Sequence, residues 1–155
     1  MDKTNAMRFL DRKKLAYRVH TVQGGAHSAA EVASLLSQPP ERIYKTLVTV
    51  GKSGGHYVFL LPAEAELDLK KAAAVVGEKS VAMLPQKELL PLTGYVHGGC
   101  SPLGMKKQLP TVVQQQAQAL ETIFFSAGRI GLQIETAPQL LAALIPLQYA
   151  DVAVD

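Results

Sequence analysis

Lys45 is the only cation in the segment IYKTLVTV, residues Ile43–Val50. In extended backbone alternate residues share a face. Ile43, Lys45, Leu47 and Thr49 therefore line one side, and Tyr44, Thr46, Val48 and Val50 line the other. A lysine in such a row has two readings. It can sit at a sheet edge, where its stem carries the ammonium to water or its charge discourages edge pairing. It can instead project into a cleft and meet a phosphate or a developing oxyanion. The stretch His97–Gly104, HGGCSPLG, offers a second kind of chemistry. Adjacent glycines let backbone N–H groups approach a ligand, and successive amides form an anion-binding concavity. Pro102 stiffens the exit, and Lys106 and Lys107 add positive charge just beyond. The same glycines also suit a plain tight turn, and they match neither the phosphate-loop nor the dinucleotide pattern.

Cys100 lies inside that loop. A catalytic cysteine needs a base and a lowered pKa. His97, three residues away, is the only nearby candidate base in sequence, and a free cysteine is equally at home as a small core residue. The histidines, His20, His27, His56 and His97, have no metal-ligand spacing. Glu135, near a strand end, is a lone carboxylate. No metal site and no cofactor are expected from these residues.

These groups need elements to hold them. Residues 4–15 place Met7, Leu10 and Leu15 near helical spacing. Ala16–Val22 reads as a strand, and Gly24–Gly25 breaks the chain. Ser28 with Glu31 three residues on has capping-box spacing for a helix to about Ser37, stopped by Pro39–Pro40. IYKTLVTV, the turn GKSGG and HYVFLLPA form an antiparallel hairpin whose second arm is apolar on both faces, as in a central strand. Asp68 opens a helix that ends at Gly77. SVAML reads as a short strand and PQKELLPL as a helix. TGYVHGGCSPLGMKK is a loop packed on the core. LETIFFSAG and IGLQIET are strands, PQLLAALIPL a helix, and QYADVAV a last strand. This order fits one α/β (α+β) domain over residues 1–155, with a mixed, partly antiparallel sheet.

The chain has 155 residues, of which 48% are hydrophobic, 19% charged and 6% aromatic, so a disordered chain is excluded. No apolar run reaches the roughly 18 residues of a membrane span, and the polar start lacks the apolar region of a secretory signal. One cysteine forms no internal disulfide. A cytoplasmic location is expected. The formal net charge of +3 allows a local phosphate contact and does not demand a duplex-coating surface.

The motifs HSAAEVASLL, IYKTLVTV, LDLKKAAAVVG, TGYVHGGCSPLGMKK and ETIFFSAGRIGLQIE, with the final helix, occur in this order along nearly the full length. Together they resemble the YbaK/EbsC family of aminoacyl-tRNA deacylases, relatives of the prolyl-tRNA synthetase editing domain. The TGY–GG–SPLG–KK series is similar to the YbaK branch. The resemblance implies a mixed, partly barrel-like sheet with surrounding helices. It also implies clearance of Cys-tRNA(Pro), and of Cys-tRNA(Cys), through attack of the substrate's own thiol on its ester. The expected partners are the 3′ end of an aminoacyl-tRNA and prolyl-tRNA synthetase, with no membrane.

By the same resemblance, Lys45 is the essential lysine that binds the tRNA 3′ end. Gly98, Gly99, Ser101 and Pro102 frame the ester carbonyl, and Ser126 and Gly128 line the pocket from a second segment. Cys100 occupies a position that is usually plain and apolar. Where Cys-specific members carry aromatics, this chain has Val22 and Ser28, which reshapes two pocket walls. Two other readings stay open on the residues: a deacylase for Ala- or Ser-charged tRNA, and a non-catalytic nucleic-acid-binding regulatory module that uses Lys45, Lys106 and Lys107 for phosphate contact.

Overall fold

The structure is a computed structural model that describes residues 2–24 and 28–155. Gly25 of the expected chain break and His27 lie outside the described residues. The chain enters through α1 (Asn5–Arg12), which buries Ala6, Met7 and Leu10. Its cap is Thr4, whose Oγ1 accepts the Met7 N–H at 3.2 Å and donates to the carbonyl of Ala127. One side chain thus starts the helix and pins it to a distant loop.

The strands fall into two sheets among the described residues. In the first, β1 (Arg18–Thr21) and β6 (Ile123–Ser126) both pair antiparallel with β7 (Leu132–Thr136). The second sheet contains β2 (Tyr44–Gly51), β3 (His56–Pro62), β4 (Val81–Met83), β5 (Thr111–Gln114) and β8 (Leu147–Ala150), in the order β4–β2–β3–β5–β8. The β2–β3 hairpin closes through a Gly51 N–H to Gly55 carbonyl bond of 2.8 Å. β3–β5 and β5–β8 are parallel. An isolated parallel bridge, Ile43 to Phe124, joins the sheets. The result is the mixed, partly antiparallel α/β fold that the sequence suggests, with both sheets wrapped around the largest core cluster.

β3 is central, and both its faces are buried, as its unbroken apolar run implied. Val58 and Leu60 face the inter-sheet core with Phe125 and Ile134. Phe59 and Leu61 face α3 (Leu69–Val76) and its Ala72 and Ala73. Each such side chain contributes about 1.5–3 kcal/mol by leaving water. Asp68 caps α3 by accepting the N–H groups of Lys70 and Lys71, both at 3.0 Å, and Gly77 ends it. α4 (Gln86–Thr93) begins just after Pro85, and α5 (Pro138–Leu144) begins at Pro138. α2 (Ala29–Leu35) carries the full capping box, with Ser28 Oγ accepting from Glu31 N–H and Glu31 Oε1 accepting from Ser28 N–H, each at 3.1 Å.

Two differences from the sequence reading have a common cause. β5 is four residues long and was not anticipated; it exists through non-local parallel pairing with β3 and β8. The last strand covers Leu147–Ala150, and beyond it only a bridge from Leu67 to Ala153 remains. Short strands have little local pattern, so their partners decide them.

Glu135 is not a free carboxylate. It accepts from Thr122 Oγ1 at 2.7 Å and Arg42 at 3.2 Å, and meets His20 Nε2 at 2.9 Å, while Arg42 lies over the Phe124 ring. Burial works against its ionisation, yet the hydrogen bonds from Thr122 and His20 and the charge of Arg42 outweigh it and hold the carboxyl below its ordinary range. A depressed carboxyl pKa stabilises the fold above the unfolded value, about 4.3, and that gain fades as pH falls through the folded value. Glu135→Gln should therefore lower stability by roughly 1–2 kcal/mol near neutral pH. In urea unfolding the difference from wild type should shrink toward about pH 3; an undiminished difference there would contradict this role.

Candidate active site

The cleft opens where β2 runs without a partner on one edge. β4 pairs with β2 only from Thr49 to Gly51, and the Leu84 N–H reaches the Val48 carbonyl. Alternate residues of an antiparallel strand direct their backbone groups to the same side. Thr46, two residues from Val48, therefore turns its N–H and C=O away from β3 into the open edge. Ile43 and the β2 residues Tyr44–Val48 line the cleft, together with Leu84 and Leu89. Val22 and the α2 residues Ala29 and Val32 close one side. The volume of about 200 Å³ suits a small group rather than a polypeptide segment.

Lys45 lies in this cleft, half-buried, and donates from Nζ to the carbonyl of Ala63 at 3.2 Å. Desolvation pulls its pKa below the ordinary lysine value, partly offset by the charge of Glu66. The carbonyl fixes the ammonium and uses one of its three donors.

The glycine-rich loop contributes His97, Gly98 and Cys100 to the lining. It is locked from behind. Thr93 Oγ1 donates to Leu89 O at 2.8 Å and accepts from Tyr95 N–H at 3.1 Å, and Tyr95 Oη donates to Leu103 O at 2.6 Å. The Gly99 N–H is committed to the Val96 carbonyl at 3.0 Å. A Cβ on Gly99 would stand 3.1 Å from Ile130 N and 3.3 Å from the Arg129 backbone. Gly99 thus allows two loops to touch, and the 126–131 loop contributes Ser126, Ile130 and Gly131 to the cleft. Gly128 has a φ of +98°, and a Cβ there would meet Tyr95 Cε1 at 2.7 Å. Its N–H donates to Ser126 Oγ at 3.1 Å.

Of the residues singled out from sequence, the structure brings Lys45, Gly98, Val22 and Ser126 into one cleft. Gly99 and Gly128 stand behind it as loop contacts. Ser28 is the α2 cap, one residue before the lining Ala29. Ser101 and Pro102 are buried below the loop: Ser101 Oγ accepts the Leu103 N–H at 3.3 Å, and the Pro102 carbonyl accepts from Gln108 at 3.3 Å. Lys106 and Lys107 are exposed and off the cleft. Sequence reasoning missed Thr46, Ile130 and Gln133. Gln133 occupies the polar phase of an alternating strand, LQIET, and so reads as a solvated side chain.

Cys100 is buried in the core cluster, and burial pushes its thiol up to about 12. Among the described residues no group of three or more His, Cys, Asp or Glu side chains could hold a metal ion, and no helix is long and apolar enough to cross a membrane.

A half-buried lysine and a glycine-rich loop thus line one small cleft. Residues 23–144 match the model of the aminoacyl-tRNA editing domain, and the chain belongs to that family. It is 45% identical over 152 residues to EbsC of Enterococcus faecalis, named as a candidate Cys-tRNA(Pro)/Cys-tRNA(Cys) deacylase; the match covers 97% of this chain and 93% of that one. It is 30% identical over 97 residues to a proline–tRNA ligase of Thermosipho africanus, covering 63% of this chain and 17% of the ligase. The crystal structure of a candidate trans-editing enzyme for prolyl-tRNA synthetase superposes with a TM-score of 0.88 at 26% identity, covering 100% of each chain.

A thiol held near pKa 12 is protonated at neutral pH and is a poor nucleophile. Cys100→Ala should keep most of any activity of the cleft and cost about 1 kcal/mol of stability. Iodoacetamide should label Cys100 of the native protein slowly. Rapid labelling, or loss of turnover in a well-folded variant, would make Cys100 a reactive group.

Proposed function

We propose that this chain is a trans-editing aminoacyl-tRNA deacylase that clears Cys-tRNA(Pro), and also Cys-tRNA(Cys). The observation that carries the proposal is Lys45, tethered by the Ala63 carbonyl beside the open edge of β2, in a cleft that the glycine loop also lines. The name of the Enterococcus faecalis relative supports the substrate. The chain acts in the cytoplasm as one domain, beside prolyl-tRNA synthetase, on the 3′ end of the charged tRNA.

An aminoacyl ester is already activated, so position and charge stabilisation suffice. Lys45 holds the 3′ end through the donors that Ala63 leaves free. The Gly99 N–H is engaged within the loop, whereas the N–H groups of Gly98 and Cys100 have no partner among the described residues. They serve the ester carbonyl as it becomes an oxyanion; one such donor contributes roughly 3–4 kcal/mol in a well-formed site. Val22 and Ser126 are walls against the side chain of the substrate, while Ser28, Ser101, Pro102 and Gly128 hold those walls in place.

The reactive group comes from the substrate. Its thiol sulfur attacks the carbonyl carbon, a C–S bond forms, and the C–O bond to the ribose breaks. The thiol proton ends on the ribose oxygen, and cysteine leaves as its thiolactone. Among the described lining residues there is no carboxylate, and the Cys100 thiol is protonated, which accords with a nucleophile brought by the substrate.

Lys45→Met tests the assignment. Loss of the charged donor should slow deacylation by on the order of 30- to 1000-fold, equivalent to about 2–4 kcal/mol. Because burial lowers the folded pKa, charged Lys45 opposes folding at neutral pH, and this cost is relieved only as pH rises through that lowered value. The variant should therefore be as stable as wild type or more so. Near-normal single-turnover deacylation by the folded variant would overturn the role of Lys45.

A further inference from the structure

Three buried side-chain oxygens among the described residues lack a hydrogen-bond partner: Tyr44 Oη, Thr46 Oγ1 and Gln133 Oε1. All three residues line the cleft. A buried polar atom left unpaired is costly, and native folds keep few of them. Tyr44 and Thr46 lie on the face of β2 opposite Lys45, and Tyr44 packs into the core, so Gln133 is the one of the three on the Lys45 side. Two are hydroxyls, which turn to donate or accept. Gln133 Oε1 only accepts, so its missing partner is a donor.

The register places that oxygen on the reactive side. Gln133 is directly opposite Ser126 across β6–β7. Cβ atoms of such a pair lie about 4.5–5.5 Å apart on one face. Phe124 shares that face, and it meets Ile43 across the bridge between sheets. Lys45, two residues beyond Ile43, points to the same side. Gln133, Ser126 and Lys45 therefore converge on one face of the cleft. No Asp or Glu is among the described lining residues. Glu66, whose charge acts on Lys45, is not among the lining residues, so the acceptor that the lining offers an entering amine is neutral.

We propose that Gln133 is the residue that reads the free α-amino group of the bound aminoacyl ester, accepting its N–H at Oε1. The neutral amide recognises the amine without neutralising the nearby lysine. This inference rests on the deacylase reading and adds a selection to it: a free amine is accepted and an N-blocked amino acid is not.

The test compares single-turnover cleavage of Cys-tRNA(Pro) and N-acetyl-Cys-tRNA(Pro) by wild type and Gln133→Met, which removes the acceptor at similar length. Wild type should favour the free amine by roughly 10- to 100-fold. In Gln133→Met the rate on the free-amine substrate should fall by about that factor, the rate on the acetylated one should hold, and the ratio should approach one. The melting temperature should be unchanged or higher, since an unpaired buried oxygen is gone. Gln133→Leu serves the same comparison if the methionine variant folds poorly. A ratio kept by a well-folded variant means that size, not Gln133, excludes the acetyl group, and overturns the inference. So does a wild type without preference, or a variant that melts lower with its ratio intact. Cleavage of neither substrate by wild type overturns the deacylase reading and this inference with it.

Discussion

The bridge between Ile43 and Phe124 is the constraint on which the rest of the molecule depends. It joins the two sheets, and past it β2 and β6 form no further ladder. Had pairing continued, the edge of β2 from Lys45 to Leu47 would be sealed by backbone hydrogen bonds. Because it stops, a strand from the middle of the core shows its edge to a cavity. Residues from both of its faces line that cavity, as do two loops and the helices α2 and α4.

The energetics follow from that opening. A lysine is held where desolvation works against its charge, with the Ala63 carbonyl as its hydrogen-bond partner among the described residues. Three residues that line the same cleft, Tyr44, Thr46 and Gln133, each keep a buried side-chain oxygen unpaired among the described residues. The compensation lies outside the cleft: β3 buried on both faces, Glu135 tied to Arg42 and Thr122, and a glycine loop braced by Tyr95 and Thr93. Rigid surroundings let the cleft keep unsatisfied groups ready for a ligand, the form of preorganisation that an already activated ester needs.

Much of this was legible in the chain. The capping box of α2, the Asp68 and Gly77 ends of α3 and the β2–β3 hairpin are local signals that physics resolves within a few residues. The double burial of β3 was readable from its uninterrupted apolar run. Lys45 stood out as a charge in an apolar row. β5 was not legible, because four residues between a proline and a 3-10 turn acquire strand geometry only from β3 and β8. The division of labour within the loop was hidden too. Spacing marks Gly98 and Gly99 as equivalent, yet only the structure shows that Gly98 faces the cleft while Gly99 packs on the Arg129–Ile130 backbone. Gln133 carried the period of a surface residue and became part of the cleft because a second sheet and a helix cover its face.

The central claim is that this cleft positions an aminoacyl ester and lets the substrate supply the nucleophile. The most direct measurement is single-turnover deacylation of tRNA(Pro) charged in turn with cysteine, serine, alanine and proline, with the released product identified by mass spectrometry. The account predicts rapid cleavage of the cysteinyl ester, release of cysteine thiolactone or its hydrolysis product, and sparing of the three esters that lack a thiol. Equal cleavage of the seryl or alanyl ester, or no cleavage of the cysteinyl one, would contradict it.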